Sequence, residues 1–310
     1  MTKACLIIVF NHRYDKNIPV LEKIYAGRFS HIYFLVPFYN GSHPNAIPVY
    51  ESSNYFQSFF AQGYARFFNE QFTHYIFLGD DCILNPAINE TNVLEQTGLA
   101  TGTDFIPGIF AFHEIKGEPW WHTFKGIDFF KNRRGAEIKN ELPSREEAVN
   151  RFQKHGLDVK PLSKTNIFGN KKPRGEKSWR YWFFKQYHWF NWRSHKQNGK
   201  IELPYPVAGS YSDVLIITKK TVADFCRYCG IMAAAGLFVE IAIPTSLLLS
   251  SDAIAQEKDT RLKGKALWSA GEVEAVEITH HKSLSSLLTG FPPDQLFYHP
   301  IKLSKWQNDL

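Results

Sequence analysis

The stretch His74-Tyr75-Ile76-Phe77-Leu78-Gly79-Asp80-Asp81-Cys82-Ile83-Leu84-Asn85-Pro86 decides the fold of this protein. Its apolar and aromatic opening is typical of a buried strand that ends at turn-forming residues. Two adjacent carboxylates follow at the C-terminal end of that strand, where open α/β sheets bind their ligands. Carboxylate oxygens are also the ligands that hard divalent cations prefer. The stretch therefore predicts an α/β enzyme that uses a metal ion on a phosphorylated substrate.

The first third of the chain alternates strand-like and helix-like patterns. Short apolar runs predict strands, and apolar residues three or four positions apart predict helices. The predicted strands cover 4–10, 31–36, 46–50 and 74–78, and the predicted helices cover 18–25 and Ser52 or Ser53 to about Gln71. This alternation is typical of a mainly parallel central sheet with helices on both faces, so we expect an α/β fold.

The later segments of the chain contain separate strand-like and helix-like patterns. They predict strands at 105–112, at 273–278 and within 208–217, and helices at 144–155, from Thr218 or Thr221 to Tyr228, and at 236–250. The nearly apolar run 230–249 has the length of a membrane span. Glu240 and Pro244 lie in its middle, and a carboxylate there is costly, so a core helix is the preferred interpretation.

A basic and aromatic segment carries the positive charge of the chain. Residues 160–200 hold eleven Lys or Arg and one acid, a net charge of +10, so the rest of the +6 chain is at −4. Nine of the seventeen residues 177–193 are aromatic. This mixture is typical of a membrane–water interface. It also suits stacking on single-stranded nucleic acid, and a buried aromatic hairpin with a basic rim is the third interpretation.

We predict that this segment docks peripherally on the inner face of an anionic membrane, and we expect nucleic acid to be a poor partner. The residues predicted to contact the membrane or the acceptor are Lys171, Lys172, Arg174, Trp179, Arg180 and Trp182. The chain opens directly into a strand-like run without a secretory signal, and its four cysteines are scattered. We therefore expect a cytoplasmic protein.

A family resemblance rests on two motifs. The predicted helix contains Ala61-Gln62-Gly63-Tyr64-Ala65-Arg66, and the next strand ends in Gly79-Asp80-Asp81. A Gly followed by Ala-Arg on a helix, and then a strand ending in clustered Asp, resembles nucleotide-sugar glycosyltransferases of the GT-A type. The resemblance covers about 4–86 well and 205–250 more loosely. Cys82 stands where the common Asp-x-Asp pattern of these enzymes has its second acid.

The resemblance implies a GT-A-like, Rossmann-like domain with three parts. Residues 1–130 would form a nucleotide-sugar-binding half, 131–204 a basic aromatic insertion, and 205–310 an acceptor-binding and catalytic half. Asp81 would bind Mn²⁺ or Mg²⁺ with Asp80 as a supporting ligand, and His280 or His281 would complete the metal shell. The other residues expected to bind the donor, with a UDP-sugar favoured, are Asn11, His12, Glu51, Arg66 and Asp80.

The acceptor half offers a candidate general base. An inverting transferase needs a carboxylate that takes the proton of the acceptor hydroxyl, and Glu240 lies alone in an apolar helix. The alternative is a buried Glu that pairs with a core Arg or Lys. Asp213 and Tyr211 are candidates for binding the acceptor, although an Asp before a strand also stabilises turns. Lys302 and Lys305 are candidates for phosphate contacts, and 255–270 for a mobile lid.

These observations predict a metal-dependent glycosyltransferase that moves a sugar from a nucleotide donor to a glycan or a lipid-linked glycan, as in surface polysaccharide assembly. Two other functions stay open. A metal-dependent phosphoesterase would use Asp80 and Asp81 without a sugar acceptor. A non-enzymatic membrane- or nucleic-acid-binding protein would depend on the basic segment instead.

Overall fold

The structure is a computed structural model that describes residues 2–171 and 178–310. Its strands are β1 Ala4–Val9, β2 Ile32–Pro37, β3 Ala46–Val49, β4 His74–Gly79, β5 Ile83–Leu84, β6 Asp104–Phe105, β7 Phe110–Ala111, β8 Ala208–Gly209, β9 Val214–Thr218, β10 Ile254–Ala255, β11 Lys263–Ala266 and β12 Gln295–His299. Its helices are α1 Ile18–Tyr25, α2 Gln57–Phe67, α3 Val93–Thr97, α4 Thr123–Phe129, α5 Arg145–Lys154, α6 Lys164–Phe168, α7 Ser178–His195, α8 Lys219–Ala234, α9 Val239–Ser250, α10 Ala270–Thr279 and α11 Leu284–Thr289. Short 3-10 helices lie at Asp15–Asn17, Ser53–Tyr55, Phe112–Glu114, Ile138–Glu141, Glu257–Asp259 and Leu303–Lys305.

A seven-stranded sheet with the order β10-β6-β9-β4-β1-β2-β3 forms the centre of the molecule. Strands β4, β1, β2 and β3 pair in parallel, whereas β9 runs antiparallel to both β4 and β6. The prediction of an α/β fold with a mainly parallel central sheet is therefore confirmed. Residues 1–130 and 205–310 both contribute strands to this sheet, and 131–204 contributes helices α5, α6 and α7.

Apolar residues fill both faces of the sheet. One core cluster includes Phe60 of α2, Phe77 of β4 and Phe225 of α8, with ring centroids 4.7 to 6.0 Å apart. Gly63 lets α2 approach the sheet closely, because a Cβ at this position would lie 2.5 Å from Cδ2 of Leu35. The glycine of the helix motif thus has a packing role.

One prediction of local structure was wrong. Residues 273–278, predicted as a strand, lie in helix α10, which begins with a capping box between Ser269 and Glu272. Val273 and Val276 then pack on the core one helical turn apart. The apolar run at 230–249 divides between α8 and α9, and among the described residues no helix is long and apolar enough to cross a membrane.

A buried carboxylate joins β6 to β9, to α8 and to the end of α9. Asp104 is fully buried and accepts hydrogen bonds from the backbone N–H of Thr218 (2.6 Å), from Thr221 Oγ1 (2.7 Å) and from Ser251 Oγ (2.5 Å). Burial raises the pKa of Asp104, and these hydrogen bonds oppose that effect. The group therefore links β6 to three other elements of the fold.

We expect Asp104→Ala to lower the free energy of unfolding by about 3–5 kcal/mol, because it leaves buried donors without an acceptor. Urea unfolding measures the change. The matched control is Asp224→Ala, because Asp224 is exposed on α8 and its replacement should cost less than about 0.5 kcal/mol. Equal effects of the two substitutions would show that the Asp104 network does not stabilise the fold.

Candidate functional site

Acidic and polar side chains meet at one edge of the central sheet. Asn11 and His12 follow β1, and Asp80 and Asp81 follow β4. Because β9 runs antiparallel to β4, the residue before β9 lies at the same edge, and the N–H of Gly79 donates to the carbonyl of Asp213 (3.2 Å). The sequence prediction that the two acids end a central strand is correct, and the pairing adds a third acid.

Three pockets that share lining residues lie at this edge; together they are called the cleft, with the smallest pocket as its centre and the other two as its arms. The centre, about 70 Å³, is lined by Asp80, Asp81, Asp213 and His299, among other residues. The first arm, about 330 Å³, shares Asn11, Asp80 and Asp81 with the centre, and it is also lined by His12, Tyr14, Asn17 and Lys302. The second arm, about 490 Å³, shares Asp213 with the centre, and it is also lined by Tyr211, Glu257, Lys265, Trp268 and Phe297.

The centre concentrates carboxylates around one imidazole. His299 at the end of β12 lies between two acids, with Nε2 3.3 Å from Asp81 Oδ1 and Nδ1 3.2 Å from Asp213 Oδ2. Burial opposes protonation of His299, but its hydrogen bonds to the two carboxylates and their charges raise its pKa to about 10. The imidazolium form therefore neutralises part of the acidic cluster at neutral pH.

Asp80 is the most buried of the three acids that line the centre. Burial, together with the neighbouring charge of Asp81, raises the pKa of Asp80 to about 7. Its side chain also interacts with Asn17, and its backbone N–H donates to the carbonyl of Val9 (3.0 Å). A second positive charge beside Asp80 and Asp81 would stabilise the ionised pair.

The chemistry of this pair fits Mn²⁺ or Mg²⁺. Across residues 2–171 and 178–310, no group of three or more His, Cys, Asp or Glu side chains is arranged to hold a metal ion. Mg²⁺ needs fewer protein ligands than that, because it is usually bound by one or two carboxylates together with substrate phosphates. Asp80 and Asp81 would supply those carboxylates at the boundary between the centre and the first arm.

Glu240 lies in the first turn of α9. It does not line the second arm, but it interacts electrostatically with Tyr211 and Asp213, which do. Its Oε2 is buried without a hydrogen-bond partner and lies 3.7 Å from Nε2 of His122. Burial, and to a lesser extent the charge of Asp213, raises the pKa of Glu240 to about 7, while Lys125 opposes the shift. Burial lowers the pKa of His122 to about 4, so this imidazole is neutral and does not form an ion pair.

The alternative interpretation of Glu240 was a buried ion pair with a core Arg or Lys. The described residues do not contain such a pair. Within them, no Lys or Arg nitrogen lies within ion-pair distance of the Glu240 carboxylate. Lys125 influences Glu240 electrostatically, but its Nζ lies over the ring of Phe238 at 3.8 Å. A carboxylate with a raised pKa and no cationic partner has the properties of a general base.

The second arm contains both residues predicted to bind the acceptor. Tyr211 and Asp213 line it, and the ring of Tyr211 packs edge-on against that of Trp268 at 4.8 Å. Trp268 and His299 were missed by the sequence analysis. Trp268 stands alone in a polar stretch, and His299 ends a short strand between prolines, so neither gives a local pattern.

Three predicted donor or metal residues lie apart from the cleft residues named above. Arg66 is exposed near the C-terminal end of α2, where its charge acts on Tyr33 at the start of β2. Glu51 follows β3 and accepts a hydrogen bond from the N–H of Ser52 (2.7 Å). His280 is buried at the end of α10, with its ring 6.4 Å from that of Tyr298. None of the three lines the centre or the arms of the cleft.

The basic aromatic segment also lies apart from the cleft lining. Trp179, Arg180 and Trp182 are exposed on α7, and Lys171 lines a separate groove. Lys172 and Arg174 lie outside the described residues.

No protein-family model matches the chain, and no curated protein matches it with significant similarity.

The raised pKa of Glu240 makes the stability of the fold depend on pH. The pKa of Glu240 in the folded protein is about 7, above its ordinary value of 4.5, so the folded protein binds this proton more tightly than the unfolded chain does. The free energy of unfolding therefore falls as the pH rises from about 4.5 to about 7, and this penalty persists at higher pH. Glu240→Gln removes the penalty. We expect the variant to be about 1–3 kcal/mol more stable than the wild type near pH 8, and much closer to it near pH 5.

Urea unfolding at both pH values measures this difference. Glu274→Gln is the matched control, since Glu274 is exposed on α10 and its replacement should change stability by less than about 0.5 kcal/mol. A difference between Glu240→Gln and the wild type that stays constant with pH would contradict the raised pKa.

Proposed function

We propose that this protein is a glycosyltransferase of the GT-A type that moves a sugar from a nucleotide-sugar donor to a hydroxyl group of a glycan or a lipid-linked glycan. The observation that carries the proposal is the shape of the cleft, because an acidic centre separates two arms. Such a cleft suits a reaction between two substrates that meet at the acids. The mainly parallel sheet with the Asp pair after β4 supports the GT-A assignment.

The first arm has the chemistry of a nucleotide diphosphate site. Asn11, His12 and Tyr14 offer hydrogen-bonding groups and an aromatic ring, and Lys302 offers a positive charge close to the two acids. Asp80 and Asp81 would hold Mn²⁺ or Mg²⁺ there. A bound divalent ion would supply positive charge to the diphosphate as it leaves the sugar. We favour a UDP-sugar on the resemblance alone.

The second arm has the chemistry of a sugar acceptor site. Trp268 and Tyr211 present aromatic rings, and Asp213 accepts hydrogen bonds from hydroxyl groups. In the reaction, the acceptor oxygen bonds to the anomeric carbon as the bond from that carbon to the diphosphate breaks. The electron pair of the broken bond leaves with the diphosphate, and Glu240 takes the acceptor proton. The sugar passes through an oxocarbenium-like transition state, as in glycoside hydrolysis.

A thermal-shift panel tests donor binding. We expect one nucleotide class among UDP-, GDP-, CMP- and dTDP-sugars to raise the melting temperature with Mn²⁺ and not with EDTA. A ligand at a hundredfold excess over its Kd stabilises the folded state by about 2.7 kcal/mol. Asp81→Asn should abolish the shift and leave the fold intact.

Asp224→Asn, on the exposed surface of α8, is the matched control and should keep the wild-type shift. If no donor produces a shift, or if Asp81→Asn keeps it, the proposed donor site is wrong.

Glu240→Gln tests the catalytic role of this residue. We expect kcat of sugar transfer to fall by about 10²–10⁴-fold, because the amide cannot accept the acceptor proton. The donor-dependent thermal shift should persist, since Glu240 acts on residues of the second arm and does not line the first. Transfer is measured with the donor that the panel identifies, and Glu274→Gln should keep full activity.

Retention of most of kcat in Glu240→Gln would remove Glu240 from the mechanism. Hydrolysis of simple phosphodiesters without a sugar acceptor, lost in Asp81→Asn, would instead identify the protein as a metal-dependent phosphoesterase.

A further inference from the structure

Helix α7 presents a row of exposed aromatic side chains. Trp179, Trp182, Phe183 and Phe190 are exposed by 61, 56, 59 and 69 %. Their positions, three, four and seven residues apart, fall on one side of a helix of 3.6 residues per turn. This set of four is called the aromatic face below. An exposed apolar patch of this kind marks an interaction surface.

The opposite side of α7 is anchored in the protein. Phe184, His188 and Trp192 are buried. The ring of Phe184 lies 4.3 Å from that of Trp121, and the ring of His188 lies 5.1 Å from that of Phe124 in α4. A helix that is apolar on all sides is normally buried on all sides. Here the contacts to α4 fix the helix and leave the aromatic face exposed.

Positive charges flank the aromatic face. The sequence of α7 contains Arg180, Lys185 and Arg193 and no acid. Beside it, a groove of about 630 Å³ between α6 and α7 is lined by described residues that include three lysines and three aromatic rings but no acid. Those six residues are Lys164, Lys171, Lys185, Phe168, Tyr181 and Trp189.

We propose that the aromatic face of α7 docks on an anionic phospholipid bilayer and that the lysine groove binds a lipid phosphate. Aromatic side chains partition into the interfacial region of a bilayer, and flanking lysines attract anionic headgroups. Because α7 and the described residues of the groove lining carry lysines and arginines but no acid, their charge is complementary to that surface. In a cell, an inner membrane leaflet has the required composition.

The orientation of the rings favours a bilayer over nucleic acid. Proteins that bind single strands offer ring faces on which successive bases stack. On α7 the rings pack against one another edge-on, with interplanar angles of 85° for Trp179–Phe183 and 80° for Trp182–Phe183. Such rings offer few parallel faces to bases, whereas a bilayer interface accepts them in any orientation.

The docking helix is linked to the cleft through consecutive residues. Trp121 packs against Phe184 of α7, and the next residue, His122, faces Glu240 across 3.7 Å. A membrane-bound acceptor would therefore lie near the second arm of the cleft. This link rests on the proposed function, whereas the docking itself does not.

Vesicle flotation tests the docking. We expect the wild-type protein to float with vesicles of two parts phosphatidylcholine and one part phosphatidylglycerol, and not with phosphatidylcholine alone. The triple variant Trp182→Ala, Phe183→Ala, Phe190→Ala should bind the anionic vesicles more weakly than the wild type by about tenfold or by a larger factor. Because these side chains are exposed, its melting temperature should stay near that of the wild type.

The matched control replaces three exposed apolar residues elsewhere, Phe38→Ala, Tyr50→Ala and Ile278→Ala, which are exposed by 57, 62 and 66 %. It should float like the wild type. A second triple variant, Lys164→Gln, Lys171→Gln, Lys185→Gln, keeps the aromatic face intact. It should bind anionic vesicles more weakly than the wild type.

The proposal is overturned if the wild-type protein fails to float with anionic vesicles, or if the aromatic triple variant floats as well as the wild type. Tighter binding to a single-stranded oligonucleotide than to vesicles, lost in the same variants, would replace the bilayer with nucleic acid. Vesicle binding is measured without a donor or a metal ion. Its outcome therefore does not depend on whether the transferase tests succeed or fail.

Discussion

The antiparallel pairing of β9 with β4 is the constraint on which the cleft depends. In a wholly parallel sheet, the residue before a strand lies at the edge opposite the strand ends that bind ligands. Reversal of β9 brings its preceding residue, Asp213, to the edge where Asp80 and Asp81 follow β4. The hydrogen bond from Gly79 to Asp213 holds the two chain segments together. Three carboxylates therefore share one small space.

Such a concentration of negative charge needs compensation. His299, delivered by β12, lies between Asp81 and Asp213 and is favoured in its charged form by both. Asp80 is more deeply buried, and its raised pKa shows that its charge is less fully compensated. This imbalance supports the proposal that a divalent cation or a positively charged group joins Asp80 and Asp81 during donor binding.

The two sides of the cleft carry different charged groups. The side proposed for the donor contains Lys302 with Asp80 and Asp81, and the side proposed for the acceptor contains Lys265 with Asp213 and Glu257. Glu240 acts electrostatically on Tyr211 of the acceptor side, and its neighbour His122 is neutral because it is buried. Through Trp121, the same segment supports α7, so the proposed membrane surface and the proposed general base belong to one packed unit.

The local sequence pattern was sufficient to predict secondary structure where burial determines which residue types can occur. The predicted strands at the start of the chain were correct because parallel strands buried on both faces need unbroken apolar runs. The acids after β4 were identified for the same reason, as an abrupt end to such a run. At 273–278 the pattern failed, because Val273 and Val276 suit a strand by propensity, whereas the cap at Ser269 and one-sided packing favour a helix.

The sequence alone thus established the α/β class and the Asp80–Asp81 pair, and it marked Glu240 and the aromatic segment as unusual. Only the tertiary structure placed Asp213 and His299 beside that pair, and put Arg66 and His280 elsewhere. The physical reason is that these positions depend on strand order and direction, which bring together residues more than a hundred positions apart. The outward orientation of half of α7 likewise depends on the elements that pack beneath it, because its sequence is aromatic on every side.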